Sequence, residues 1–212
     1  TPVNVLQDYA MLKVLRAYAP YLSSDFDKTN FGFYGTTLSG TPEQQVRWKR
    51  GVSTVSGAMG EAIGEQYVAK YFPPESKAAA DQLVKNVIAA MGDRLRNLAW
   101  MAPETKTKAL AKLAAFTPKI GYPDKWRDYS ALQVQRGDLV GNVARANAFD
   151  YDRDLKKLGQ PIDRGEWFMT PMTINAYANP TMNEVVFPAA ILQPPFFDPK
   201  ADPAINYGGI GA

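Results

Sequence analysis

Cysteine and histidine are both absent from these 212 residues. Without cysteine no disulfide scaffold and no thiolate metal site can form. The missing histidine excludes more. With neither imidazole nor thiol, the chain lacks the usual zinc ligands, a thiol nucleophile and the side chain that most often serves as general base near neutral pH. Carboxylates, Lys and Tyr are the acid–base groups that remain, which argues against a complete hydrolase. A surplus of charge is lacking too: 24 Lys and Arg stand against 21 Asp and Glu, a formal net charge of +3, too near neutrality to point to nucleic acid. No apolar run approaches the roughly 20 residues a membrane helix needs, and Thr1-Pro2-Val3-Asn4 does not have the basic-then-apolar layout of an export signal. Hydrophobic residues are plentiful at 46%, with 12% aromatic, which suffices for one large domain or two small ones with a packed core.

Helical spacing dominates the first three quarters of the chain. Leu6, Tyr9, Leu12, Leu15 and Tyr18 predict a helix over about Val3–Leu22, closed by Pro20. Residues 23–40 read as an irregular segment pinned by Phe31, Phe33 and Tyr34. Thr41-Pro42-Glu43-Gln44 has the makings of a capped helix start, and Trp48, Val52, Val55, Met59, Ile63, Tyr67 and Tyr71 continue one long helix to Pro73-Pro74. Its glycines Gly51, Gly57, Gly60 and Gly64 each cost about 1 kcal/mol against alanine, so close packing along that face is expected. Positively and negatively charged residues interrupt the run, against a membrane-type glycine dimer motif. Further helices are expected over Ser76–Trp100, with Ala80, Val84, Val87, Met91, Leu95 and Leu98 as the buried stripe, and over Pro103–Ala115. Gly121-Tyr122-Pro123 breaks the pattern, and Asp138 caps a helix to Leu158 with Gly159 as its C-terminal glycine.

Beyond Gly159 the texture changes. Met172–Tyr177 and Glu184–Phe187 read as two strands across Asn179-Pro180-Thr181-Met182, an antiparallel hairpin, followed by a loop stiffened by Pro188, Pro194 and Pro195. Asp163 and Arg164 read as a surface ion pair of little energetic weight. The fold class expected is mainly α over residues 1–158, with a small α+β portion over residues 159–212.

Several stretches carry more than periodicity. They are, in chain order, Phe33-Tyr-Gly-Thr-Thr-Leu-Ser-Gly40, Arg47-Trp-Lys-Arg50 with Gly57-Ala-Met-Gly-Glu61, Trp100-Met101 with Glu104-Thr-Lys106, Asn175-Ala-Tyr177, Val186-Phe-Pro-Ala-Ala-Ile-Leu-Gln-Pro-Pro-Phe-Phe197 and Asn206-Tyr-Gly-Gly-Ile-Gly211. Together they resemble the neprilysin-like (M13) family of zinc metallopeptidases. In that family Gly-Ile-Gly leads into His-Glu-x-x-His, two histidines one helical turn apart that bind zinc, with the Glu as base toward the metal-bound water. A third zinc-binding Glu lies further on. This sequence contains none of these ligands. The resemblance therefore implies an internal fragment: residues 1–158 as part of the long-helix cap domain that encloses the active site, and residues 159–212 as a linker and the start of a thermolysin-like catalytic domain, truncated before the zinc helix. Gly208–Ala212 would then be the approach to that helix, its small residues permitting tight packing. A phosphate-binding loop is excluded by the absence of a following Lys-Ser/Thr.

The same resemblance implies that the intact parent uses zinc to cleave oligopeptides, that this chain binds no metal and holds no catalytic residue, and that its partners are peptide substrates and the missing catalytic segment. Thermolysin-like sites take substrate as a strand added to a sheet edge. Asn175 and Ala176 match the family's Asn-Ala substrate motif, the Asn175 side chain and Ala176 main chain holding the substrate backbone. Ile191 and Phe196 match positions near the pocket for the residue after the scissile bond; from the sequence alone both read as core. The better-known animal members are disulfide-bonded, membrane-anchored ectodomains, so the absence of cysteine favours an exported, periplasmic or extracellular bacterial relative. The alternative is a free-standing helical interaction module without catalysis.

Overall fold

Helices dominate the computed structural model, which describes residues 1–211. Packing groups the chain into two units, Thr1–Met59 with Asp128–Gln160, and Gly60–Arg127 with the residues from Pro161 onward.

In the first unit, α1 (Val3–Tyr18) passes into a 3-10 turn at Ala19–Tyr21, where Pro20 ends it as expected. The segment expected to be irregular is helical: α2 (Ser24–Asn30) runs into a wide π-turn over Phe31–Thr37. Asp25 and Asp27 in the first turn of α2 suit the positive end of the helix dipole. In the wide turn, hydroxyl groups five residues on take up carbonyls: Thr37 Oγ1 donates to Gly32 C=O at 3.0 Å and Ser39 Oγ to Tyr34 C=O at 2.8 Å. The helix start expected at Thr41 does not form, and α3 (Arg47–Tyr71) begins six residues later. Gln44, the last residue of that expected start, donates to Asp27 at 2.9 Å, and Arg50 pairs with the other oxygen of Asp27 at 2.8 Å. A tertiary ion pair has outcompeted a local cap. α6 (Leu139–Leu155) starts where expected, Asp138 accepting from Gly141 N–H at 3.0 Å, but ends short of Leu158.

The second unit holds what positions the candidate site. α3 is broken at Met59 (φ −138°, ψ 40°), so the single long helix expected is two segments. α4 (Pro74–Asn97) and α5 (Pro103–Ala114) lie close to the expected bounds. Two of the four α3 glycines admit a close neighbour: a Cβ would come within 2.5 Å of Thr170 at Gly60 and within 2.6 Å of Pro171 at Gly64, whereas Gly51 and Gly57 face open space. The chain segment entering the hairpin region thus lies against α3.

Three strands complete this unit: β1 (Thr117–Gly121), β2 (Tyr177–Asn179) and β3 (Glu184–Pro188). β3 is central, parallel to β1 and antiparallel to β2. The expected hairpin is present with a shorter first strand, and β1 was not anticipated. Its Pro118 is tolerable because β1 is an edge strand, and its partner lies far along the chain, where no local pattern could signal it. Gly121 closes β1 with φ +80°, and a Cβ there would come within 2.5 Å of the Phe72 ring. Phe72 is 1% exposed and anchors a core with Val68, Leu83, Ile120, Leu192 and Phe197, an aromatic burial worth about 1.5–3 kcal/mol relative to exposure. α7 (Pro203–Gly209) follows the proline-rich loop.

Candidate functional site

β2 is three residues long and pairs along one side with β3. Its other side faces no strand among the described residues, which leaves main-chain groups able to receive an added strand. The hairpin turn is held by Asn179 Oδ1, which accepts from Thr181 N–H at 3.1 Å and Thr181 Oγ1 at 2.7 Å, and by Asn183, which adopts φ 52°.

Asn175 and Ala176 stand directly before this edge rather than inside the strand, a correction to the expected strand over Met172–Tyr177. The cause is local: Asn175 N–H donates to Thr173 C=O at 3.0 Å, a turn-like contact incompatible with extension. Asn175 Oδ1 then accepts from Ala176 N–H at 2.8 Å. Asn175 is exposed and Ala176 half-buried. Preceding them, Thr173 N–H donates to Thr170 C=O at 3.0 Å, and the hydroxyls of Thr170 and Thr173 also lie 3.0 Å apart.

Ile191 is half-buried and packs against the Phe72 core. Phe196 is 44% exposed, so the core role read from sequence alone fits Ile191 and not Phe196. No hydrogen bond or ring contact joins Asn175–Ala176 to Ile191 or Phe196 among the described residues; the two stretches meet where the N–H of Ala190, next to Ile191, donates to the C=O of Pro171, four residues before Asn175, at 2.9 Å. The loop bearing Phe196 is braced by α7. Asn206 donates to Asp198 C=O at 2.8 Å and accepts from Asp198 N–H at 2.9 Å, while a Cβ at Gly209 would meet the Phe196 carbonyl at 2.5 Å. Within Gly208–Ala212, Gly209 and Gly211 are thus the tightly packed positions, a Cβ at Gly211 meeting the Tyr207 carbonyl at 2.5 Å, and Gly208 is open; Ala212 lies outside the described residues.

Polar residues across this sheet, to which the sequence reading assigned no role, connect to this edge. Lys119 Nζ sits 2.7 Å from Glu184 Oε2, the two side chains being 9% and 1% exposed, and also donates to Glu166 C=O at 2.9 Å. Phe168 N–H donates to the Tyr177 hydroxyl at 3.0 Å. Burial pushes the Tyr177 phenol above its ordinary value of 10.0; the Phe168 N–H works against this, while the negative charges of Glu184 and Glu166 add to it. A signal for Glu184 did exist: it shares strand parity with Val186 and Pro188, both buried, and so put a carboxylate on the inward face. The expected Asp163–Arg164 ion pair is not formed. Asp163 accepts from Gly165 N–H at 2.8 Å, and Arg164 donates to Met182 C=O at 2.9 Å.

For a metal the fit is poor. The sequence offers no His or Cys, and no group of three or more carboxylates converges among the described residues. No step through zinc can be built on these residues. No helix among the described residues is long and apolar enough to cross a membrane.

Residues 1–123 and residues 175–212 both match peptidase family M13. Among solved structures, the zinc metalloprotease Zmp1 of Mycobacterium tuberculosis, in complex with an inhibitor, is 53% identical with a TM-score of 0.91, covering 100% of this chain and 32% of its own. PepO of Lactobacillus rhamnosis is 35% identical with a TM-score of 0.83, over 92% of this chain and 31% of its own. The neutral endopeptidase of Lactobacillus helveticus is 37% identical over 98% of this chain and 32% of its own length. The chain spans about a third of the length of these relatives. Matched over more than half its residues by that family and along its whole length by a member's structure, the chain belongs to peptidase family M13.

Proposed function

We propose that this chain is part of a zinc metalloendopeptidase that cleaves oligopeptides, and that it supplies cap helices and the substrate-binding edge of that enzyme. Residues 1–158 are assigned to the helical cap and residues 159–212 to the start of the catalytic domain. The observation that carries the reading is the unpaired side of β2 with Asn175–Ala176 at its head, in a chain of the M13 family. A peptide in extended form adds there as a further strand, so that main-chain hydrogen bonds hold it irrespective of sequence. Asn175 Oδ1 is engaged by Ala176 N–H, which leaves the side-chain NH2 as the donor for a substrate carbonyl, and the Ala176 main chain is assigned to hold the substrate backbone beside it. Ile191 and Phe196 shape the pocket for a bulky apolar side chain after the scissile bond.

Bound zinc would supply the hydrolytic chemistry in the intact enzyme. Its ligands come from residues outside this sequence, so the 212-residue chain alone is inactive. The likeness to bacterial relatives supports a bacterial setting, and with the family resemblance and the absence of cysteine the enzyme is assigned to an exported, periplasmic or extracellular location. The test is a quenched fluorescent oligopeptide incubated with the purified 212-residue chain and zinc, with and without chelator, beside the full-length enzyme. Chelator-sensitive cleavage by the full-length enzyme alone is expected; the same cleavage by the isolated chain, its mass verified, would refute the assignment of all zinc ligands to other residues.

A further inference from the structure

We propose that the buried Lys119–Glu184 pair is a positioning clamp that holds Asn175–Ala176 in the arrangement substrate requires; this rests on the reading of that segment as the substrate edge. The pair links β1 to the central strand. Glu184 lies opposite Thr117, and Lys119 is two residues further along the same face, so that its ammonium reaches Oε2 at 2.7 Å. The same ammonium accommodates a second acceptor, Glu166 C=O at 2.9 Å. Two residues beyond Glu166, Phe168 N–H donates to the Tyr177 hydroxyl, and the two rings meet edge to face with centroids 6.1 Å apart. Tyr177 is the first residue of β2 and directly follows Ala176. A continuous path of directed contacts therefore runs from β1 through the 166–168 segment to the head of the edge strand.

As a means of stabilising the fold this pair is poorly made. Glu184 Oε1 is buried and has no hydrogen-bond partner among the described residues, and a buried ion pair with an unsatisfied oxygen gains little over apolar side chains of the same volume. What apolar side chains could not supply is direction: the ammonium must face a carboxylate on one strand and a carbonyl on a loop together. β2 needs that help, being three residues long with one strand neighbour. An edge ordered in advance spares an incoming peptide the entropy of ordering it.

The experiment is carried out in the full-length enzyme that carries this chain, combining hydrogen exchange over residues 166–177 with steady-state kinetics. Lys119→Met/Glu184→Gln removes both charges together and so leaves no uncompensated buried ion. It is expected to keep the wild-type circular dichroism spectrum, to speed exchange at 175–177 about tenfold and to raise KM about tenfold with kcat within about threefold. Tyr177→Phe, which removes only the hydroxyl acceptor, should move both readouts in the same direction and serves alone if the double variant does not fold. Unchanged exchange, or a fall in kcat with KM unchanged, would overturn the clamp. Asn175→Ala is the reference: wild-type kcat/KM in that variant, with faster exchange in the clamp variants, would instead overturn Asn175 as a substrate contact and leave the clamp standing.

Discussion

At Asn175 a single side chain joins local geometry to proposed function. Its Oδ1 is committed to the next residue's N–H, and its Nδ2 makes no hydrogen bond among the described residues although the residue is exposed. Replacing it with alanine removes the donor without disturbing the core, so in the full-length enzyme Asn175→Ala should lower kcat/KM by about tenfold or more while thermal stability stays close to wild type, a hydrogen bond being worth about that factor. Steady-state assays on an oligopeptide together with a melting curve check both halves; unchanged kcat/KM would sink the role. The proposal for Asn175-Ala176 came from the sequence, through its resemblance to a family motif. The pair's exact neighbours did not. Lys119 and Tyr177 become relevant only because β1 pairs with β3, and nothing in the five residues of β1 signals a partner more than sixty positions away.

Elements show where local rules prevail and where they yield. Asp138 was read as a cap and is one, accepting from Gly141 N–H and pairing with Arg145 at 3.0 Å. The hydrogen bond from Arg145, followed by that from Gly141, holds its carboxyl below the ordinary value of 3.8. A depressed carboxyl stabilises the fold above its unfolded value and ceases to do so as pH falls through its folded value. Asp138→Ala should therefore lower the denaturation midpoint at neutral pH, and the gap to wild type should close progressively below pH 3.8; urea titrations across that range check it, and a gap independent of pH would show that the charge is not involved. Thr41-Pro42 offered an equally good local signal and formed no cap. There the competing partner was Asp27, which binds Gln44 and Arg50 at once. The wide turn over Phe31–Thr37 was missed for a related reason, since its glycines and hydroxyl residues suit a loop as well as they suit a helix whose carbonyls are met by Thr37 and Ser39.

For the whole molecule, exposed apolar surface bears on the proposal. Helix α1 buries none of its residues, and Val3, Leu6, Tyr9, Leu12 and Leu15 are exposed along it. Under the proposed function these residues meet other parts of the enzyme, and the isolated 212-residue chain should self-associate. Sedimentation velocity over a range of concentrations tests this: a monodisperse monomer would favour the free-standing interaction module, and association that is lost in the full-length enzyme supports the fragment. The sequence by itself determined the dominance of helix, the cap at Asp138, the hairpin, the family and the lack of histidine and cysteine ligands, because each is written in composition, in neighbours a few residues apart or in a contiguous motif. Only the tertiary structure decided the break at Met59, the parallel pairing of β1 with β3, the packing of half-buried Ile191 against the core while Phe196 stays exposed, and the buried Lys119–Glu184 pair. Those outcomes depend on contacts between residues distant in sequence, where packing and desolvation outweigh local propensity.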